Sequence, residues 1–388
     1  MAGSVFANPW ERFSQFFATE SRVGVQRLRR AARRVPDDPG TLSNLCRVLQ
    51  QRGEVDDALR EVHEFTLRTG DAHLESVGAL LMELRAFEMA EHCYHRLAEL
   101  HPQSAAVVCK LGILYAQKGD DDRARAELLR ATQLEPRNAE TWYRLGSFLL
   151  RKREIDAAER HLRHALDVDT RHARAHTNLG FLLDLRGERA AAIREFQKAV
   201  QLAPGDPENH FNLGALYAEA CSYELAIEQF HAGAALAPDS VEAHYNLGAV
   251  YFELRRYDDS IESFRRALKL QPRHDEARYY LGLCYLRKGV YDRALQQLEQ
   301  AAGDRSRSVR LLYAIALCYN GLELPRQAVR LLSQVVELCP DHAKAHHLLG
   351  ICFDKLGDRD GATEAYKVSD LQLQQARSRR GVARIAHP

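Results

Sequence analysis

A segment of about eight residues returns every 34 positions: "HTNLGFLL" at 176–183, "HFNLGALY" at 210–217 and "HYNLGAVY" at 244–251. A fixed period of this length means one supersecondary unit used repeatedly, each unit too small to bury its own apolar face. In the unit that opens at Pro207, the fourth, seventh, eighth and eleventh positions are His210, Leu213, Gly214 and Tyr217. The twentieth, twenty-fourth and thirty-second are Ala226, Phe230 and Pro238. The neighbouring units repeat this with His244, Leu247, Gly248, Tyr251, Ser260, Phe264 and Pro272, and with His176, Leu179, Gly180, Leu183, Ala192, Phe196 and Pro204. Trp142, Leu145 and Gly146 open an earlier unit, and His346, Leu349, Gly350 and Phe353 open the last full one.

The positions have separate physical meanings. Apolar residues at the fourth, seventh and eleventh places share one helix face. The glycine at the eighth and the small residue at the twentieth let two helices approach closely. A second glycine (Gly119, Gly187, Gly289, Gly357) falls where the first helix must end. A proline (Pro102, Pro136, Pro204, Pro238, Pro272, Pro340) ends the second. Each unit is therefore a helix hairpin.

These positions resemble the tetratricopeptide repeat family over residues 39–370. The resemblance implies an all-α, right-handed solenoid of about ten hairpins with terminal capping helices. It also implies that first helices line a concave groove, with the second, fifth, sixth, ninth, twelfth and thirteenth positions facing it. Asn44, Asn178, Asn212 and Asn246 stand at the sixth position. An amide both donates and accepts, so it matches one peptide unit of an extended ligand. The arrangement is similar to the inner amide ladder in the repeat region of O-GlcNAc transferase, which implies capture of an extended peptide. Tyr143, Phe181, Phe211, Tyr245, Phe252, Tyr279, Tyr280 and Tyr313 flank it as aromatic anchors. Glu208, Glu219, Glu242, Glu253 and Glu276 lie among them, with Arg144, Arg151, Arg174 and Arg287 toward the edges. The expected ligand segment is apolar with some basic residues. The clamp with which one subgroup holds chaperone C-terminal carboxylates is absent, because Thr177 and Phe181 stand where it needs lysine and asparagine.

Departures mark the ends. The unit from Pro39 has Cys46 at the glycine position and is about two residues short. The unit from Asp275 ends in "GDRSRS" (303–308), a candidate looser joint. Its successor has Gly321 early and Pro325 at the start of its second helix. Residues 1–38 read as a cap: Asn8 and Pro9 start a helix with Trp10, Phe13 and Phe17 on one face. Residues 371–388 read as a basic helical extension and tail.

Other chemistry is not encoded in recognisable form. There is no phosphate loop, no dinucleotide fingerprint, no HExxH and no nucleophile elbow, so no enzyme is expected. Seventeen histidines raise the question of metal, but the pairs His172/His176 and His342/His346 lack further ligands, and packing roles are expected. Eight cysteines form no CxxC, and the spacing of Cys284, Cys318 and Cys352 marks a small buried site filled elsewhere by Ala249 or Val250. Neither a cofactor nor a metal is expected. A net charge of +1 gives no attraction to nucleic acid, and no run is apolar enough to span a membrane. The start lacks a secretory signal, and a reducing cytoplasm is expected. The leading reading is a non-enzymatic scaffold that holds a protein partner through an extended peptide. The alternatives are an accessory subunit of a glycosyltransferase-type complex and, third, an RNA-binding repeat. No small-molecule substrate is expected.

Overall fold

The computed structural model describes residues 25–301, apart from 27 and 33, and residues 308–385; side chains are described to residue 374. Twenty α-helices follow one another, eighteen of them paired as nine hairpins within the two units, with no strand among the described residues. The chain divides into two units, Met1–Glu188 and Arg189–Pro388.

In the first unit the hairpins are α1 (Pro39–Gln51) with α2 (Val55–Thr69), α3 (Leu74–Glu83) with α4 (Phe87–Leu100), α5 (Ala105–Lys118) with α6 (Asp121–Leu134), and α7 (Ala139–Arg151) with α8 (Ile155–Val168). α9 (Ala173–Leu185) ends it. The short unit lies where the spacing placed it. Cys46 and Gly78 occupy successive glycine positions 32 residues apart, and a 3-10 turn, Gly70–His73, stands in for the first turn of α3. Before α1, Val25 is buried, and Leu28 and Ala32 pack on the same core. Arg29 pairs with Asp57 at 3.2 Å and Glu61 at 2.9 Å. Asn8, Pro9, Trp10, Phe13 and Phe17 of the expected cap lie outside the described residues.

The second unit opens with α10 (Arg189–Leu202). Its hairpins are α11 (Pro207–Glu219) with α12 (Tyr223–Leu236), α13 (Val241–Glu253) with α14 (Tyr257–Leu270), and α15 (Asp275–Arg287) with α16 (Tyr291–Ala301). Then come α17 (Val309–Gly321) with α18 (Pro325–Leu338), and α19 (Ala343–Leu356) with α20 (Arg359–Ile385). Most of the candidate joint at 303–308 lies outside the described residues. α20 does not stop at residue 370. Its first turns bury Ala362, Ala365 and Ser369, and the helix continues unbroken past exposed Leu371 and Leu373.

The hairpin geometry follows from the glycine position. A Cβ on Gly112, Gly146, Gly214, Gly248 or Gly282 would lie 2.7–2.9 Å from the Leu128, Leu162, Phe230, Phe264 or Leu298 side chain of the paired helix. Those side chains are almost wholly buried, so they have little room to yield. Opposite them, Ala124, Ala158, Ala226 and Ala294 are 0% exposed. Helix starts are capped by side chains: Asp38, Ser104, Asn138, Asp206 and Ser240 each accept a backbone N–H of the following turn.

Helix ends are more uniform than the sequence suggests. The fifteenth position is left-handed in all ten repeats. Glycine supplies it at Gly53, Gly119, Gly187, Gly289 and Gly357, with φ between 73° and 85°. Arg85, Arg153, Cys221, Arg255 and Glu323 supply it elsewhere with φ of 56–60°, a conformation costly for residues with a Cβ.

The histidines at the fourth position are packing groups with one polar duty. Nε2 of His210, His244 and His346 lies 3.1, 2.9 and 3.0 Å from the carbonyl of Pro204, Pro238 and Pro340. Trp142 Nε1 donates to the Pro136 carbonyl at 2.9 Å in the same way. Each bond satisfies a carbonyl freed where the preceding helix ends. Cys284, Cys318 and Cys352 are 0% exposed. Val250 is their buried counterpart, and Ala249 is the half-buried neighbour.

Candidate functional site

Within each unit the first helices lie against one another: α1 on α3, α5 on α7 and α7 on α9 in the first unit, and α11 through α19 in succession in the second. Second helices do not approach their counterparts as closely. The first helices thus form the crowded, inner side of each unit, and their second, fifth, sixth and ninth positions make its surface.

On the first unit that surface is polar and internally paired. Asn44 is exposed, but Ser76, Lys110 and Arg144 occupy the sixth position before Asn178 restores the amide. Lys110 is bonded to Glu75, and Arg144 Nε donates to Glu140 at 2.6 Å. Glu140 also accepts from His172 Nε2 at 3.0 Å and lies 3.5 Å from Arg174. The His172 hydrogen bond, assisted by the charges of Arg144 and Arg174, holds the Glu140 carboxyl down at about 2. His172 caps α9, its Nδ1 accepting from the Ala175 amide at 3.1 Å. The imidazole proton is therefore on Nε2, pointing at Glu140. Tyr143, expected as an open anchor, is instead buried at 9% exposure. Its ring lies 4.8 Å from that of His172, with the guanidinium groups of Arg144 and Arg174 at 5.5 and 5.4 Å. Phe181 is exposed at 41%.

The second unit brings the expected residues together. Asn212 and Asn246 are half-buried at successive sixth positions, and Tyr280 takes the third. Among the described residues no hydrogen bond engages the amides of Asn178, Asn212 or Asn246. Tyr280 stacks on the buried Phe264 ring at 5.8 Å and 15°, and lies edge-on to Phe252 at 5.6 Å and Tyr279 at 5.6 Å. Tyr245 joins the cluster at 6.3 Å from Tyr280. Four of the eight aromatic residues named from the sequence therefore form one continuous, half-buried patch. Burial, with the charge of Glu276 second, pushes the Tyr245 phenol up to about 12, so it remains a donor. Glu208, Glu242 and Glu276 are exposed beside this surface, and among the described residues none forms an ion pair. Glu219 is neutralised by Arg189 at 2.6 Å. Phe211 is half-buried over Gly233, where a Cβ would lie 2.3 Å from its ring. Tyr313 packs on His342 at 4.9 Å.

One feature of this surface had no sequence signal. His172, His274 and His342 cap three first helices through Nδ1, and each supports the fifth-position tyrosine of the hairpin before it: Tyr143, Tyr245 and Tyr313. Histidine is not a usual cap, so spacing alone did not reveal the pairing.

Stacked hairpins whose first helices carry a shared side-chain surface define the class: a helical-repeat α-solenoid, a scaffold of the protein-interaction type. The chain belongs to the tetratricopeptide repeat family. One family model, described as tetratricopeptide repeat, matches residues 78–139, 109–161, 143–207, 211–272 and 250–309, and a second of the same description matches 39–64. No curated protein sequence gives a significant match. Among solved structures, YrrB, described as a tetratricopeptide repeat protein with an unusual peptide-binding site, is 23% identical, with 48% of this chain covering 96% of that one at a TM-score of 0.45. MamA (41-end) from Desulfovibrio magneticus RS-1 is 26% identical over 44% and 96% of the chains at 0.42. PilF of Pseudomonas aeruginosa is 22% identical over 52% and 92% at 0.45. Among the described residues, no helix is long and apolar enough to cross a membrane, and no three His, Cys, Asp or Glu side chains gather as a metal site.

Proposed function

We propose that the chain is a non-catalytic scaffold that holds an extended segment of a partner protein against its first helices, with the second unit as the principal binding surface. The observation that carries this reading is the joining of Tyr245, Phe252, Tyr279 and Tyr280 into one patch beside the unengaged amides of Asn212 and Asn246. Half-buried aromatic rings gain most when a ligand finishes covering them. Amides without internal partners are ready to pair with a peptide backbone, whatever its sequence. The exposed carboxylates of Glu208, Glu242 and Glu276 select for basic residues in that segment. Asn178, with Phe181 exposed next to it, is the corresponding point on the first unit.

The test is selection of peptides from a random display library on the full chain, followed by calorimetry. Asn178, Asn212 and Asn246 changed together to Ala should leave the helix content intact and weaken a selected peptide by about 0.5–1.5 kcal/mol per hydrogen bond lost. Tyr280→Ala should weaken it by about 2 kcal/mol or more. Selected peptides that bind both variants as tightly as the parent protein would remove the reading.

A further inference from the structure

We infer that the second unit carries an anion-binding site on its outer side, in the cleft where α14 meets α15 and α16. The cleft has a volume of about 420 Å³ and is lined by Arg265, Lys269, Arg278 and Arg293, with the Tyr285 hydroxyl and the Gln296 amide beside them. No carboxylate lines it. Among the described residues, none of the four cations takes part in an ion pair. Two of the four are held in place by neutral partners: Arg265 Nη2 donates to the Tyr285 hydroxyl at 2.6 Å, and Arg278 donates to the Pro272 carbonyl and the Gln300 side chain. These bonds orient the guanidinium groups and leave their charge uncompensated.

The repeat supplies its own control. One period earlier the equivalent cleft, between α12, α13 and α14, is lined by His231, Ala235, His244, Asp259 and Glu262, and there Asp239, Asp259 and Glu262 offset the charges of Arg266 and Lys269. At the same positions 34 residues on stand Arg265, Lys269, Arg278, Arg293 and Gln296. All five replacements move the charge in the positive direction, and none of the three carboxylates of the earlier cleft has a counterpart in this lining. The fold does not require this, since the earlier cleft packs the same way with acids present. Four like charges crowded at one cleft repel one another, and a bound anion relieves that repulsion. Forked guanidinium groups suit phosphate oxygens in particular. The volume lies within the range of small-ligand sites. The ligand class is a compact anion with two or more clustered phosphate groups. The site is on a different face from the peptide surface and stands or falls independently of it.

The experiment is calorimetric titration of the full chain with inorganic tripolyphosphate, with ATP and inositol hexakisphosphate as parallel arms. The expected result is one site per chain, weakened about tenfold or more when Arg265, Lys269 and Arg293 are together changed to Gln. The tighter organic arm, if either exceeds tripolyphosphate, identifies the source of the phosphates. A charge-matched control changes Arg137, Arg160 and Arg194 to Gln and should retain the binding. If the triple variant melts early, Lys269→Gln with Arg293→Gln makes the same test, because neither side chain supports the fold through a hydrogen bond among the described residues. Absence of binding, or equal weakening by the control, overturns the site.

Discussion

The hydroxyl of Tyr251 lies 2.9 Å from Nε2 of His231, twenty residues earlier on the preceding second helix. The same link recurs between hairpins with changing chemistry: His95 to Tyr115 at 3.0 Å, Gln197 to Tyr217 at 2.7 Å, Arg265 to Tyr285 at 2.6 Å, and Tyr319 donating to Glu299 at 3.1 Å. A phenol both donates and accepts, so one tyrosine position tolerates a base, an amide, a cation or an acid opposite it. Tyr251→Phe deletes one such bond without leaving a cavity. It should cost about 0.5–1.5 kcal/mol in urea unfolding followed by circular dichroism.

The close contact at the eighth position predicts a larger effect. Gly248→Ala places a methyl 2.8 Å from the buried Phe264 ring, which is 0% exposed. The ring must move or the helices must part, at about 1–3 kcal/mol. The loss should spread to the neighbouring hairpins, because stability in such arrays is shared at interfaces. Hydrogen exchange should accelerate in α13 and α14 first.

Replacement at the fifteenth position should act in the opposite sense. Arg153 and Arg255 hold φ of 60° and 59°, where a side chain costs about 1–2 kcal/mol. Arg153→Gly and Arg255→Gly remove that strain and give back about 0.5–1 kcal/mol of it in unfolded-chain entropy. Each should raise the melting temperature slightly. Gly289→Ala, at φ of 73°, should lower it.

The Glu140 cluster predicts a pH dependence. Its carboxyl is held at about 2 in the fold against an ordinary 4.5. A depressed acid stabilises the fold fully above its unfolded value, and that contribution is lost as pH falls through the folded one. Stability should therefore decline between about pH 5 and pH 2. The side chain is 37% exposed, and screening limits the contribution to about 1 kcal/mol. Glu140→Gln should flatten this part of the stability profile by lowering the plateau above pH 5 by about 1 kcal/mol.

The sequence by itself determined the hairpins, their number and their register. Glycine, alanine and proline at fixed places leave few ways to pair two helices, so a 34-residue spacing was sufficient to mark Gly248 as a point of close helix approach and to end helices at Gly119 and Pro136. Helical spacing also fixed which side chains share a face, while the choice of the inner face came from the family resemblance. Only the tertiary structure decided what those side chains do there. Tyr143 is walled in by His172 and two arginines, whereas Tyr245, at the same position three units on, joins an aromatic patch. Both are backed by a capping histidine, and the difference lies in the neighbours: Arg144 beside Tyr143 and Arg174 on the next repeat, against Asn246 beside Tyr245 and Tyr280 on the next repeat, a contrast that spacing cannot rank. Likewise, the five exchanges around Arg265 lie scattered along three helices, and only packing brings their charges to one cleft. Periodicity is a property of the backbone and its close contacts. The chemistry of a surface depends on neighbours that meet only after the hairpins stack.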